Sequence, residues 1–582
     1  MQFLKVLRHF LYQKELYIFV FMNRKYFILL LFSLPLFSQK EIPTDSFSNP
    51  LDIPLELSGT FGELRNNHFH SGLDIKTQQK EGLPVYAPAD GYVSRIKVAH
   101  FGYGKALYIQ HPNGYTTVYG HLKEYAGAIQ ELVKQTQYKK ETYEIELFPK
   151  LVDLPIKKGD LIAYTGNTGG SGGPHLHYEI RDNASRPMNP KLFGIDIADT
   201  RKPLINSVFV YPISEDAQVN QDANPMQLRL LPKNDGSYVA EKIIASGTLG
   251  FGISTVDQQN AANNRNGVYK IESTFNGEKS VSLVFDKISF DETRYINRFI
   301  DYGYFSEKKT KIQKLFIEKN NPLSIYKESN SNGYIRVEDG FNSVYTITVS
   351  DYKGNAVLIS IPIDGKSLPI LKEKPKVEGT HFVFAKEGAT IKQGKFDIYI
   401  PPNSLYEDIS LIINADADTL FFHKDTSPIH SNITISVDAF NFAAADMDKV
   451  FIGKLNYRGQ PYYNSTNREG TILSTKVREF GNYGLAIDTV PPIITPINFA
   501  NGKWISNNKT LEIKIQDTLS GIKSYRATIN DTWVLMEYEY KKNLLTYTFE
   551  DNITNETEFN LKLIVTDNVG NNTKFEAIFY RK

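Results

Sequence analysis

The 582-residue chain contains no cysteine. That absence excludes thiolate metal sites, cysteine nucleophiles and disulfides. It also excludes lipid attachment through a cysteine at a processed N-terminus. Any transition metal must therefore sit on His, Asp or Glu. An excess of one charge is missing too: 66 basic and 65 acidic residues leave a formal net charge of +1. This balance offers no electrostatic case for nucleic acid or for an anionic surface. Histidine is scarce, 11 in all. The one strongly apolar run, near the N-terminus, is too short for a comfortable membrane span.

What is present reads as a globular chain: 41% hydrophobic, 23% charged and 13% aromatic. The length is too great for one hydrophobic core, so three to five domains are expected. From Met22 the sequence runs "MNRKYFILLLFSLPLFSQKEIPTD". Arg24 and Lys25 precede about a dozen mainly apolar residues, and polar sequence comes after them, the pattern of a secretory signal peptide. The expectation is that residues 1–39 are a leader region, that translation truly starts at Met22, and that the mature chain is exported to the periplasm or cell surface without a stable membrane span.

Residues 51–193 are rich in glycine and in short apolar runs such as "LPVYAP", "GYVSRIKV" and "KALYIQ", broken by turn residues. These predict strands joined by tight turns. The stretch 123–154 is polar and unpatterned and reads as a loop insertion, with one helix around "GAIQELVKQ". Further on, two segments echo each other. "DTRKPLI" from Asp199 matches "DTVPPII" from Asp488, and "NGVYKIESTFNG" from Asn266 matches "SGIKSYRATIND" from Ser520. "TVSDYKGNAV" from Thr348 matches "IVTDNVGNNT" from Ile564. Three landmarks in the same order predict two copies of one immunoglobulin-like β-sandwich, the first carrying insertions. The expected fold is mainly β. A first antiparallel β-sheet domain over 50–197 is followed by β-sandwich modules over 198–366, 367–487 and 488–582. No stretch after residue 200 concentrates histidines, paired acids or a glycine loop with chemistry.

Seven of the 11 histidines fall between residues 68 and 177: His68, His70, His100, His111, His121, His175 and His177. In "HFHSGLD" (68–74), His70 and Asp74 would be ~13 Å apart on an extended chain, too far for one metal. Ser71-Gly72 makes a poor helix interior. A bend at Gly72, where glycine accepts a positive φ, would bring the two together; otherwise the heptad is a solvated turn. In "GNTGGSGGPHLHYEI" (166–180), His175 and His177 are two apart and face the same way on a strand. One can bind a metal while the other meets a water on it, and spacing alone does not say which. The glycine run lacks the Lys-[Ser/Thr] of a phosphate loop, which excludes nucleotide binding. In "TVYGHL" (117–122), His121 ends a strand-like run.

In this order the three pieces resemble the lysostaphin-type, LytM-domain zinc metallopeptidases that cut peptidoglycan cross-links. The resemblance covers residues 55–192. It implies one zinc ion held by His70, Asp74 and His177, with His121 and His175 as catalytic histidines that do not ligate it. Zinc with an open position activates water for attack on a peptide bond, a histidine takes the proton, and metal and imidazole stabilise the oxyanion. His68 and His111 do not match and are expected to have ordinary surface roles. Two departures from the family pattern are the insertion after His121 and the short approach "FGELRNNHF", so substrate contacts upstream are not transferable. The implied function is an exported zinc endopeptidase acting on peptidoglycan peptides. The alternative is a non-catalytic wall-binding module or an activator of other wall hydrolases; the presence of all five residues favours catalysis. A third reading is a structural or adhesive protein dominated by its sandwiches. Those modules could also dock a protein partner.

Overall fold

A computed structural model describes residues 20–23, 26–29, 42–44, 46–260, 262–375, 379–549 and 556–582. The chain divides into two compact units, 1–43 and 44–582. In the first, Val20–Asn23 and Tyr26–Leu29 pair as an antiparallel hairpin. Most of the apolar run read as the signal-peptide core, residues 30–41, lies outside the described residues. Among the described residues no helix is long and apolar enough to cross a membrane.

The second unit is built from sheets, as the short alternating runs predict. Its first sheet carries β1 (Leu57–Gly59), β2 (Leu73–Lys76), β3 (Gly91–Val98), β4 (Lys105–Gln110), β5 (Thr116–Leu122) and β6 (His175–Arg181). Across the sheet the order is β3-β4-β5-β6-β2-β1, every pair antiparallel. The last of these six strands in sequence is thus inserted between β2 and β5. Buried Leu73, Ile75, Tyr119, Leu176, Tyr178 and Ile180 fill the core. The predicted insertion contains a helix, α1 (Gly127–Lys140), which buries Ile129 and Val133.

Beyond residue 200 the fold is mainly β throughout. In the first sandwich-like region, β7 (Leu204–Pro212) pairs with the long β8 (Ile243–Val256). The first residues of β8 pair instead with β10 (Ala356–Gly365), which forms a hairpin with β9 (Asn342–Ser350). One strand therefore belongs to both layers. The changeover falls at Gly247, whose φ is 80° and whose added Cβ would sit 2.7 Å from the Cα of Ala217. Residues 389–487 form two five-stranded sheets around one core that includes Phe396, Phe422, Ile435 and Tyr483. The C-terminal region packs a four-stranded against a five-stranded sheet around Leu511, Ile513, Leu563 and Phe579.

Candidate metal centre

Strand pairing brings the distant motifs together. On β6, His177 stands opposite Asp74 of β2 and opposite Gly120 of β5. His70 precedes β2 and completes the cluster. His70 Nε2 lies 3.0 Å from Asp74 Oδ1 and 3.1 Å from His177 Nδ1, and His177 Nδ1 lies 2.9 Å from the same Asp74 oxygen. All three side chains are buried, at 7%, 8% and 3% exposure.

The bend between His70 and Asp74 is real, but its cause differs from the expectation. Gly72 does not take a positive φ. It is needed because a Cβ there would sit 2.3 Å from the carbonyl oxygen of Tyr178 and 2.9 Å from Cγ of Glu179. Close backbone approach to β6, not left-handed geometry, selects glycine.

Each ring is oriented by a partner on its far nitrogen. His70 Nδ1–H donates to Thr60 O at 2.8 Å. His177 Nε2–H donates to Glu179 Oε1 at 2.8 Å. These bonds turn His70 Nε2 and His177 Nδ1 toward Asp74 as lone pairs in the neutral rings. Arg65 holds the other Asp74 oxygen, Oδ2, at 3.0 Å. Two imidazole nitrogens and a carboxylate converge, so the cluster holds either a proton or a cation, and the donor set suits a borderline cation such as zinc.

His121 and His175 flank this cluster. Their ring centroids are 4.8 Å apart, and His121 is 5.9 Å from His177. His175 Nε2 comes within 3.4 Å of Asp74 Oδ1. The far nitrogens are again pinned: His121 Nδ1–H donates to Thr168 O and His175 Nδ1–H to Gly173 O, both at 2.8 Å. His121 reaches the site through a β-bulge. Lys105 pairs with Leu122 and Leu107 with Tyr119, so β5 carries an extra residue here, and His121 has a φ of 60°. Simple alternation would turn His121 away from the face to which Gly120 belongs; the bulge re-aims it.

The sequence motifs do not single out Glu179 and Arg181. Glu179 is fully buried and accepts from His177, from Ser71 Oγ at 2.6 Å, from Tyr103 Oη at 2.5 Å and from Arg181 Nε at 2.6 Å. A signal for them exists: residues 175, 177, 179 and 181 share one strand face at period two. His111 corrects the expectation of a surface role. It is 3% exposed and bonds Asp90 O and Thr117 Oγ1, both at 2.8 Å. His68 is exposed at the cleft edge.

Electrostatics follow from burial among these partners. Burial pushes the Asp74 carboxyl up, but the charge of His70 and hydrogen bonds from the three histidines outweigh it, holding Asp74 well below its usual value. Burial lowers the His177 pKa, yet bonds to Asp74 and Glu179 outweigh it and raise the group to about 9. Burial first, then the charges of His177 and His175, push His121 down to about 3. His121 is thus a neutral base at ordinary pH.

The cluster opens on a cleft of about 910 Å³, lined by Arg65, Tyr103, His121, Ser171, His175 and Arg181 among others. The C-terminal region packs on its rim. Lys541 Nζ donates to Asn167 O at 2.5 Å and to Ser171 O at 3.1 Å, and the Tyr540 ring meets Phe101 at a tilt with centroids 4.6 Å apart. Lys105 pairs with Glu537 at 2.9 Å.

Residues 68–138 and 151–190 match the family described as Peptidase family M23, so the chain contains an M23 peptidase domain. The gap in that match, 139–150, falls inside the predicted insertion. Residues 380–488 match the Zu5-like domain. An uncharacterized metalloprotease of Haemophilus influenzae is 39% identical over 127 residues, 22% of this chain and 22% of that protein. The DD-carboxypeptidase/endopeptidase Mpg of Neisseria meningitidis is 36% identical over 121 residues, 21% of this chain and 22% of that protein. The catalytic domain of lysostaphin from Staphylococcus simulans is 22% identical, covering 24% of this chain and 90% of that one, with a TM-score of 0.18. The chain thus spans about a fifth of the length of the curated relatives it matches.

Proposed function

We propose that residues 50–197 act as a zinc endopeptidase hydrolysing peptide cross-links of peptidoglycan, outside the cytoplasm. The observation that carries this is the mutual spacing of His70 Nε2, Asp74 Oδ1 and His177 Nδ1 at 2.9–3.1 Å, with both rings pinned from behind. Those three atoms are the metal ligands, for one zinc ion. Zinc, when bound, supplies a Lewis acid that polarises a carbonyl and makes water a better nucleophile at neutral pH.

The remaining chemistry belongs to the chain. Arg65 engages the second Asp74 oxygen and leaves Oδ1 as the one that would hold the metal. His121, neutral and held by Thr168, takes a proton at Nε2 from the attacking water. Its protonated form, or that of His175, donates from Nε2 to the oxyanion or the leaving amine. The fully buried Glu179 balances the charge that builds on His177. The names of the relatives, among them a peptidoglycan DD-endopeptidase of Vibrio cholerae, support peptide cross-links as the substrate class. The modules over 198–366, 367–487 and 488–582 carry and brace the peptidase, and leave surfaces for a protein partner.

The test is digestion of purified peptidoglycan by the full chain with zinc, beside His70→Ala and His175→Ala, with products read by mass spectrometry. The expected result is cross-link cleavage by the parent and its loss in both variants. Zinc bound without release of fragments would instead favour a non-catalytic wall-binding module.

A further inference from the structure

Two clusters of three aspartates lie outside the peptidase site. They are Asp199, Asp257 and Asp351, and Asp488, Asp517 and Asp567; in each, one carboxylate oxygen per residue lies within 4.8 Å of the others. They occupy matching places in the two repeated segments, and their construction matches. Asp199 Oδ1 accepts from Arg201 N at 3.0 Å, as Asp488 Oδ1 does from Val490 N at 3.1 Å. Asp351 Oδ1 accepts from Asn355 N and Asp567 Oδ1 from Asn571 N, both at 2.8 Å. Each asparagine amide then ties its cluster to the backbone of Asp199 or Asp488.

The third aspartate differs. Asp517 Oδ1 accepts from Leu519 N at 3.1 Å and Gly521 N at 2.6 Å. Asp257 is 1% exposed and its Oδ1 has no hydrogen-bond partner. In the first copy nine positions separate Asp257 from Asn266, against three from Asp517 to Ser520, and the longer loop carries the donors away. Two more buried side chains on that loop are unsatisfied: both amide atoms of Asn266 and Nε2 of Gln259, in residues 1% and 2% exposed. A buried carboxylate oxygen without a partner is costly and points to a missing ligand. No lysine or arginine forms an ion pair with the three carboxylates among the described residues. Lys191 feels the field of all three and Arg201 that of Asp199, and burial lowers the Lys191 pKa. Burial, then the charges of Asp199 and Asp351, push Asp257 up to about 7.

We propose that Asp199, Asp257 and Asp351 form a calcium site. An all-oxygen donor set selects a hard cation. Ligands from three separate segments suit the irregular 6–8-oxygen shell of calcium better than the strict octahedron of magnesium. Opposite ligands on calcium lie about 5 Å apart, which accommodates the 4.8 Å spread. The ion fastens the segment leaving the peptidase, at Asp199, to the base of the loop 257–267. That loop reaches the peptidase: Leu57 N donates to Gln259 Oε1 at 3.1 Å and Gly267 N to Thr60 Oγ1 at 2.9 Å. Thr60 is the residue whose carbonyl pins His70, so calcium stiffens the wall behind a zinc ligand.

The test uses the zinc-supplied full chain, freed of other cations and titrated with calcium. The expected result is a Tm that rises with calcium and responds less to magnesium. Native mass spectrometry should count one calcium fewer per chain in Asp257→Asn than in the parent. Without calcium, Asp257→Asn should be at least as stable as the parent, because the amide removes a buried unpaired charge. Asp199→Asn, at a half-exposed position, should lose the same ion and serves if Asp257→Asn folds poorly. A Tm indifferent to calcium, an equal response to magnesium, or an unchanged calcium count in both variants would overturn the assignment.

Discussion

His177 is held between two carboxylates, with Nδ1 toward Asp74 and Nε2 toward Glu179. Glu179 in turn gathers Arg181, Tyr103 and Ser71 in a fully buried network. Such outer partners set ligand orientation and basicity, and their loss typically costs ~10–100-fold in metal affinity. Glu179→Gln keeps the shape but removes the charge, so zinc affinity measured against a competing chelator should fall by about that factor. An unchanged affinity would show that Glu179 only fills space. At this scale the clustering of four histidines with Asp74 is legible, because "HSGLD", "YGHL" and "HLH" contain them. Glu179 and Arg181 are legible in principle from strand alternation. Thr60, Tyr103 and Thr168 are not, since each reaches the site through folding from elsewhere in the chain.

Strands β2, β5 and β6 produce the convergence, because their register sets His177 opposite Asp74 and Gly120. The crossing of the His70–Asp74 bend beneath β6 leaves no room for a side chain at residue 72. Gly72→Ala forces backbone apart, and overpacking of this kind costs about 1–3 kcal/mol. Denaturant unfolding should show that loss, together with weakened zinc binding. A variant with parental stability would mean that the backbone at Tyr178 yields to a methyl group. The sequence predicts a bend here but assigns it to a positive φ, because steric crowding from a strand over 100 residues away leaves no local mark. The bulge at His121 is equally hidden: one extra residue in a ladder is visible only when both strands are paired.

Across the whole molecule, the peptidase sheet is not isolated from the regions after residue 200. Phe69 packs toward Phe285 and Phe299, with ring centroids 6.2 and 6.1 Å away, and Asn189 Nδ2 donates to Phe285 O. The C-terminal region clamps the rim loop 167–171 through Lys541 and Tyr540. Tyr540→Ala with Lys541→Ala in the full chain should increase amide hydrogen exchange in 167–171, the segment that carries Thr168, while the core of β6 stays protected. Unchanged exchange would mean that the rim is rigid by itself. The mainly β architecture is legible from turn spacing. The aspartate clusters escape because successive members are 58 and 94 positions apart in one copy and 29 and 50 in the other, so no short window of sequence holds a pair.

The proposed chemistry rests on one convergence, and zinc-edge X-ray absorption on the zinc-loaded full chain reads it directly. The predicted shell has two imidazole nitrogens and a carboxylate oxygen. Asp74→Asn should alter that shell, and His121→Ala should leave it intact. Loss of an imidazole ligand in His121→Ala, or a shell unchanged by Asp74→Asn, would contradict it.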